Sequence, residues 1–193
     1  MKKVLAVIDV QQLFLASRKE YGPLARVDYL ALHRAFNPTH DPDTVIDAIA
    51  YVVVSPKHED YKFIRFLKKV GFKVMRQFAG MAPIDEGSSN EMGVKIIPKS
   101  WTHKMIRDLH SFVSDNTYDE YYIVSGSGGF ISAVNAIHAQ GKKAIVMGFR
   151  SSIQGKLIES ADQTIILDNT ILYDENLYKR PPQEVPNESG STE

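Results

Sequence analysis

Apolar runs alternate with helical patterns along most of the chain. Lys3 to Ile8 (KVLAVI) is continuous apolar sequence after its first residue, the mark of a parallel strand buried on both faces. Asp47 to Val54 (DAIAYVVV), Tyr121 to Val124 and Ala144 to Met147 read the same way. Phe72 to Phe78 alternates and predicts a further strand, and Thr164 to Leu167 a last one. Between them, Val10 to Lys19 predicts a helix with Leu13 and Phe14 inward, and Val27 to Phe36 a second. Asn37 to Asp43 is rich in turn formers. Ser55-Pro56 opens a helix through Val70, with Phe63, Ile64, Phe66 and Leu67 as its buried side and Gly71 as its stop. Ala79 to Asn90 reads as a loop, Pro98 to Val113 and Ile153 to Ser160 as helices, and Ile171 to Tyr178 as a short terminal element.

One stretch organises the rest. Asp119 to Phe149 runs strand, glycine turn, helix, strand, with Ile131, Val134, Ile137 and His138 at helical spacing before Gly141. This is a βαβ unit, and such a unit requires a parallel sheet. With about five alternations and no internal repeat, the expected fold is a three-layer α/β/α sandwich. Its central sheet should be mainly parallel, with about five or six strands. Residues 1–179 form one expected domain, and 180–193 a polar tail too poor in apolar residues to build a core. Ligands usually bind where strands of such a sheet end, so the turn from Ser125 to Gly129, which glycine makes conformationally easy, is the first candidate site.

Composition narrows the options. The 193 residues carry 23 Lys+Arg against 23 Asp+Glu, so net charge favours no class of partner and only local patches can. The absence of cysteine removes thiolate chemistry and suits a reducing compartment, here expected to be the cytoplasm. The opening MKKVLAVIDV mimics a signal peptide, but Asp9 breaks its apolar run and no small-residue cleavage site follows. No stretch nears the roughly 18 apolar residues of a membrane span.

Several segments, in this order, resemble the NYN domains of the PIN-like nuclease superfamily, LabA-like proteins among them. They are IDVQQLF (Ile8 to Phe14), GVKIIPKSW (Gly93 to Trp101), SGSGGF (Ser125 to Phe130), GKKAIVMGF (Gly141 to Phe149) and QGKLIESADQTIIL (Gln154 to Leu167). The resemblance spans Lys3 to Leu167. It implies carboxylates that hold a divalent ion, which activates water and steadies the phosphate. Matched position by position, only Asp9 keeps its acid. Gln12 stands for the family's Asn, Lys95 for the GVD aspartate, Trp101 for the next Asp, and Ser127 and Gly129 for both aspartates of an SGDSDF turn. A single carboxylate is too few for Mg²⁺, and a nearby lysine competes with the ion.

Each candidate carries two readings. Asp9 is a metal-ligand remnant or a helix cap, and the missing partners favour the cap. The uncharged turn Ser125, Gly126, Ser127, Gly128 and Gly129 either accepts an anion on backbone N–H groups near Gly129 or is a tight turn only. Lys99, His103 and Arg107, with Lys95 and Lys104 nearby, form a basic face toward RNA or a nucleotide, or a solvated helix face beside Asp108. Trp101 stacks a base, anchors a partner, or fills core. Asp85, Glu86 and Glu91 are replacement ligands or, as the spacing favours, a solvated acidic loop; Asp162 is expected to be structural. Tyr51, Tyr61, Tyr118, Tyr121 and Tyr122, with the loop from Arg18 to Asp43, are candidates for an interaction surface.

The leading expectation is a catalytically degenerate domain that binds protein partners, with RNA as a second class of ligand, without a cofactor and away from membranes. The alternatives are a ribonuclease using Mg²⁺ or Mn²⁺ in a site rebuilt around Asp9, and a phosphate or nucleotide sensor at Ser125–Gly129.

Overall fold

A computed structural model describes residues 1–54, 61–78, 80–83, 94–97 and 101–173, with the backbone alone at 78, 80–83 and 94–97. The chain builds β1 (Lys2–Asp9), α1 (Val10–Tyr21), α2 (Tyr29–Arg34), β2 (Thr44–Val54), α3 (Tyr61–Val70), β3 (Phe72–Phe78), β4 (Gly80–Pro83) and β5 (Val94–Ile97). It continues with α4 (Thr102–Ser114), β6 (Glu120–Val124), α5 (Ile131–Ala139), β7 (Lys143–Phe149), α6 (Gly155–Ser160) and β8 (Gln163–Leu167).

Six strands form one sheet in the order β3-β2-β1-β6-β7-β8, every adjacent pair parallel. The order reverses between β1 and β6. A crevice opens beyond the strand ends at such a reversal, and ligands favour it. Residues of α1, α2 and α3 share one core with the sheet, around Leu13, Leu32 and Leu67. Residues of α4, α5 and α6 share the other, around Met105, Val134 and Leu157. The fold is therefore a three-layer α/β/α sandwich, as the alternating pattern predicts.

Three details depart from the sequence reading. Val10, Leu13 and Ala16 form the buried stripe of α1, while Phe14 is 39% exposed beneath the Arg18 guanidinium, 4.2 Å from its ring centroid. In α3, Ile64 and Leu67 are buried, but Phe66 is 44% exposed. Two residues along a helix turn a side chain about 200° from its neighbour, so Phe66 cannot share the face of Ile64. The expected loop from Ala79 contains β4, which pairs antiparallel with β5 in a separate two-stranded ribbon; four-residue strands are too short to show a period.

Local signals account for several boundaries. The Asp28 carboxylate accepts from the N–H groups of Leu30 and Ala31 and so starts α2 two residues after Val27. Gly71, at φ 117°, ends α3 as expected. A short 3-10 turn, Asn169–Ile171, replaces the start of the terminal element, and the Tyr173 N–H donates to the Arg26 carbonyl at 2.8 Å. The expected starts at Ser55-Pro56 and Pro98, the rest of the loop to Asn90, and the tail from residue 174 lie outside the described residues. No described helix is long and apolar enough to cross a membrane.

Candidate functional site

The reversal in strand order brings Asp9 and Ser125 to the same edge. Ile8 of β1 pairs in register with Val124 of β6, and Asp9 with Tyr51 of β2. Asp9 is 7% exposed, and its Oδ1 accepts the Gln12 N–H at 3.0 Å, capping α1. Burial pushes its carboxyl above the ordinary carboxylate pKa, while the Gln12 and Gln11 N–H groups pull it down.

Gln12 then reaches across to the glycine turn, its Oε1 accepting the Gly126 N–H at 2.7 Å. The Gly126 carbonyl in turn accepts from the Gln154 N–H at 3.0 Å. A Cβ on Gly126 would sit 1.9 Å from the Ser152 carbonyl oxygen, so no other residue fits. Contrary to the sequence reading, this glycine is required for close approach and not for its backbone angles: among the described residues the positive-φ glycines are elsewhere, at 22, 71 and 141.

Within the turn the donors are largely engaged. Ser125 Oγ accepts from the Ser127 N–H at 3.5 Å, and Ser127 Oγ accepts from the Gly129 N–H at 3.4 Å, capping a 3-10 turn at Gly128–Phe130. The Phe130 N–H donates to the Ser127 carbonyl. The Gly129 N–H, on which an anion site would depend, thus already has an acceptor.

Trp101 lies at the start of α4, only 3% exposed, with its ring 5.2 Å from Tyr51 in an edge-on contact. Tyr51 donates to Asp108 Oδ2 at 2.9 Å, and Lys104 Nζ approaches the same oxygen at 2.6 Å. Burial, then the Asp108 carboxylate, raises the Tyr51 phenol pKa. The Trp101 Nε1 is buried and lacks a hydrogen-bond partner among the described residues. The tryptophan is core, packed with Met105 and Leu109.

His103 and Arg107 are exposed on the outer side of α4, and Lys104 is tied to Asp108. Lys95 lies in β5, its backbone in register with Ala82; Lys99, Asp85, Glu86 and Glu91 lie outside the described residues. Asp162 Oδ2 accepts the Ala144 N–H at 2.7 Å and meets His138 Nε2 at 2.8 Å, which makes it a structural tie. The Ala144 N–H, followed by His138, lowers its pKa. Tyr51, Tyr121 and Tyr122 are buried and offer no interaction surface, Tyr118 is half-buried, and Tyr61 is 56% exposed. The sequence reading missed the Tyr51–Asp108 tie and the Gln154 clamp. Both join segments far apart in the chain, and no local pattern announces them.

Residues 3–168 match the NYN domain family. The chain belongs to that family. Its likeness to a Vibrio parahaemolyticus protein of unknown function, solved by crystallography, reaches a TM-score of 0.68 at 24% identity, covering 89% of this chain and 96% of that one. Two weaker structural likenesses are to Acinetobacter baumannii MurG (TM-score 0.42, 12% identity, 85% of this chain and 41% of that one) and a putative UDP-N-acetylglucosamine 2-epimerase from Listeria monocytogenes (0.44, 11%, 86% and 39%). The chain spans about two fifths of each of these two proteins. No curated protein matches it significantly.

The fold places an NYN domain in the PIN-like nuclease superfamily, whose chemistry implies a divalent ion. The described residues of this chain do not fit one. No group of three or more His, Cys, Asp or Glu among them is placed to hold a metal. Among the described residues, of the matched positions only Asp9 supplies a carboxylate at the crevice, and Mg²⁺ needs near-octahedral oxygen coordination.

Proposed function

We propose that this NYN domain works by binding, as a catalytically degenerate adaptor for a protein partner or RNA in the cytoplasm, and does not cut phosphodiester bonds. The observation that carries the reading is the state of Asp9. Its carboxylate is buried, raised in pKa and engaged as the α1 cap. Its neighbours at the matched positions are an amide clamped to Gly126, a core tryptophan and a turn without acids. Phosphodiester hydrolysis by metal ions requires charge at the attacking and leaving oxygens, and the one desolvated carboxyl left at the matched positions supplies too little to hold that charge.

Cleavage of labelled single-stranded RNA, with Mg²⁺ or Mn²⁺ and with EDTA, tests the reading in wild type and Asp9→Asn. The expected result is uncut RNA in every condition. Metal-dependent cutting that Asp9→Asn abolishes would overturn it and point to a rebuilt ribonuclease site.

A further inference from the structure

The outer face of α3 carries charge of one sign. Lys62, Arg65, Phe66 and Lys69 fall at i, i+3, i+4 and i+7, and all are exposed, opposite the buried Ile64 and Leu67. Lys68 extends this face, and Arg76 on the edge strand β3, on the same side of the sheet as Phe72 and Val74, carries it further. Between residues 61 and 76 there is no Asp or Glu, in a chain whose overall charge is zero. None of these cations has an ion-pair partner among the described residues.

Local stability accounts only for the C-terminal end, where Lys68 and Lys69 stand in the last turn of α3 and the dipole favours a cation. Like charges three or four residues apart destabilise a helix, and Lys62 stands in the first turn, where the dipole disfavours a cation. Edge lysines such as Lys73 discourage strand addition, but cations on a helix serve no such purpose. Exposed aromatic rings are interleaved with the charges: Tyr61 is 56% exposed and Phe66 44%.

We propose that the α3–β3 edge is a docking surface for single-stranded nucleic acid, with the cations on phosphates and Phe66 and Tyr61 stacking on bases. A membrane surface suits it less, because the apolar residues an interfacial helix would insert, Ile64 and Leu67, are locked in the core. A protein partner suits it less as well, since lysine is depleted in protein interfaces and Lys62, Lys68 and Lys69 dominate this face. The surface shares no residue with the Asp9–Gln12–Gly126 site, and its role does not depend on whether that site cleaves.

The test is fluorescence anisotropy of labelled single-stranded RNA and DNA oligonucleotides with the full chain, in EDTA so that cleavage cannot contribute. Variants are Lys62→Glu/Arg65→Glu/Lys69→Glu, its milder Gln counterpart, Phe66→Ala, and Arg107→Glu on α4 as a control. Circular dichroism melts confirm folding. Expected are binding that weakens with salt, at a log–log slope of about −0.7 per phosphate contact, and its loss in the charge-reversed and Gln variants. Phe66→Ala should weaken binding about tenfold with the salt slope unchanged, and Arg107→Glu should bind as wild type does. No binding at low salt would overturn the proposal. So would binding that survives the triple substitution, or equal affinity for anionic vesicles or polyglutamate with no effect of Phe66→Ala.

Discussion

The side-chain oxygen of Gln12 accepts the backbone N–H of Gly126 at 2.7 Å, linking the first turn of α1 to the end of β6 across 114 residues. Asp9 caps the helix that carries Gln12, so the cap on α1 also positions the glycine turn. Gln12→Ala leaves the buried Gly126 N–H without its acceptor. It should cost about 1–2 kcal/mol in urea unfolding, and an unchanged midpoint would mean that water replaces the amide at no cost.

Gly126→Ala should be more severe. Its Cβ would meet the Ser152 carbonyl oxygen at 1.9 Å, a backbone atom that cannot step aside like the end of a flexible side chain. A loss of at least about 2 kcal/mol is expected. A stable variant would show that the loop after β7 yields easily.

Asp9 predicts a pH dependence. Burial raises its folded pKa above the ordinary 3.8, so the folded chain holds this proton more tightly than the unfolded chain does. The contribution is therefore favourable at low pH and declines as pH rises from 3.8 through the folded value. Other acids, such as Asp119 and Asp162, are shifted the opposite way by backbone N–H groups and mask this trend in raw melts. The quantity to measure is the stability of wild type minus that of Asp9→Asn, since Asn keeps the cap without titrating. That difference should fall as pH rises above 3.8 and then level off; a difference that grows with pH would mean that Asp9 is stabilised as an anion.

Trp101 separates packing from polarity. Trp101→Ala should cost about 3–5 kcal/mol through its cavity. Trp101→Phe loses some volume but removes the unpartnered Nε1, so its cost should stay below about 1.5 kcal/mol. Equal costs would mean that the indole N–H has a partner that stabilises it.

The fold was legible where burial is two-sided. β1, β2, β6 and β7 are near-continuous apolar runs because helices cover both faces, and nothing but a strand is short enough to fit them. The ribbon of β4 and β5 was not, because four residues carry too few alternations. At the site, composition marked the glycine turn, but its reason was hidden. The need for Gly126 comes from Ser152, beyond the following helix and strand, and sequence alone cannot show that approach. Trp101 was legible as a substitution in the family pattern. Its partner Tyr51 was not, since the strand period placed Tyr51 in β2 without saying what would pack over it.

The central claim is that the crevice no longer provides a metal site, and calorimetric titration of Mn²⁺ into the full chain, with Asp9→Asn alongside, tests it most directly. The account predicts no saturable heat attributable to Asp9, with wild type and variant indistinguishable. A stoichiometric Mn²⁺ isotherm that disappears in Asp9→Asn would contradict it and return the domain to the active nucleases of its superfamily.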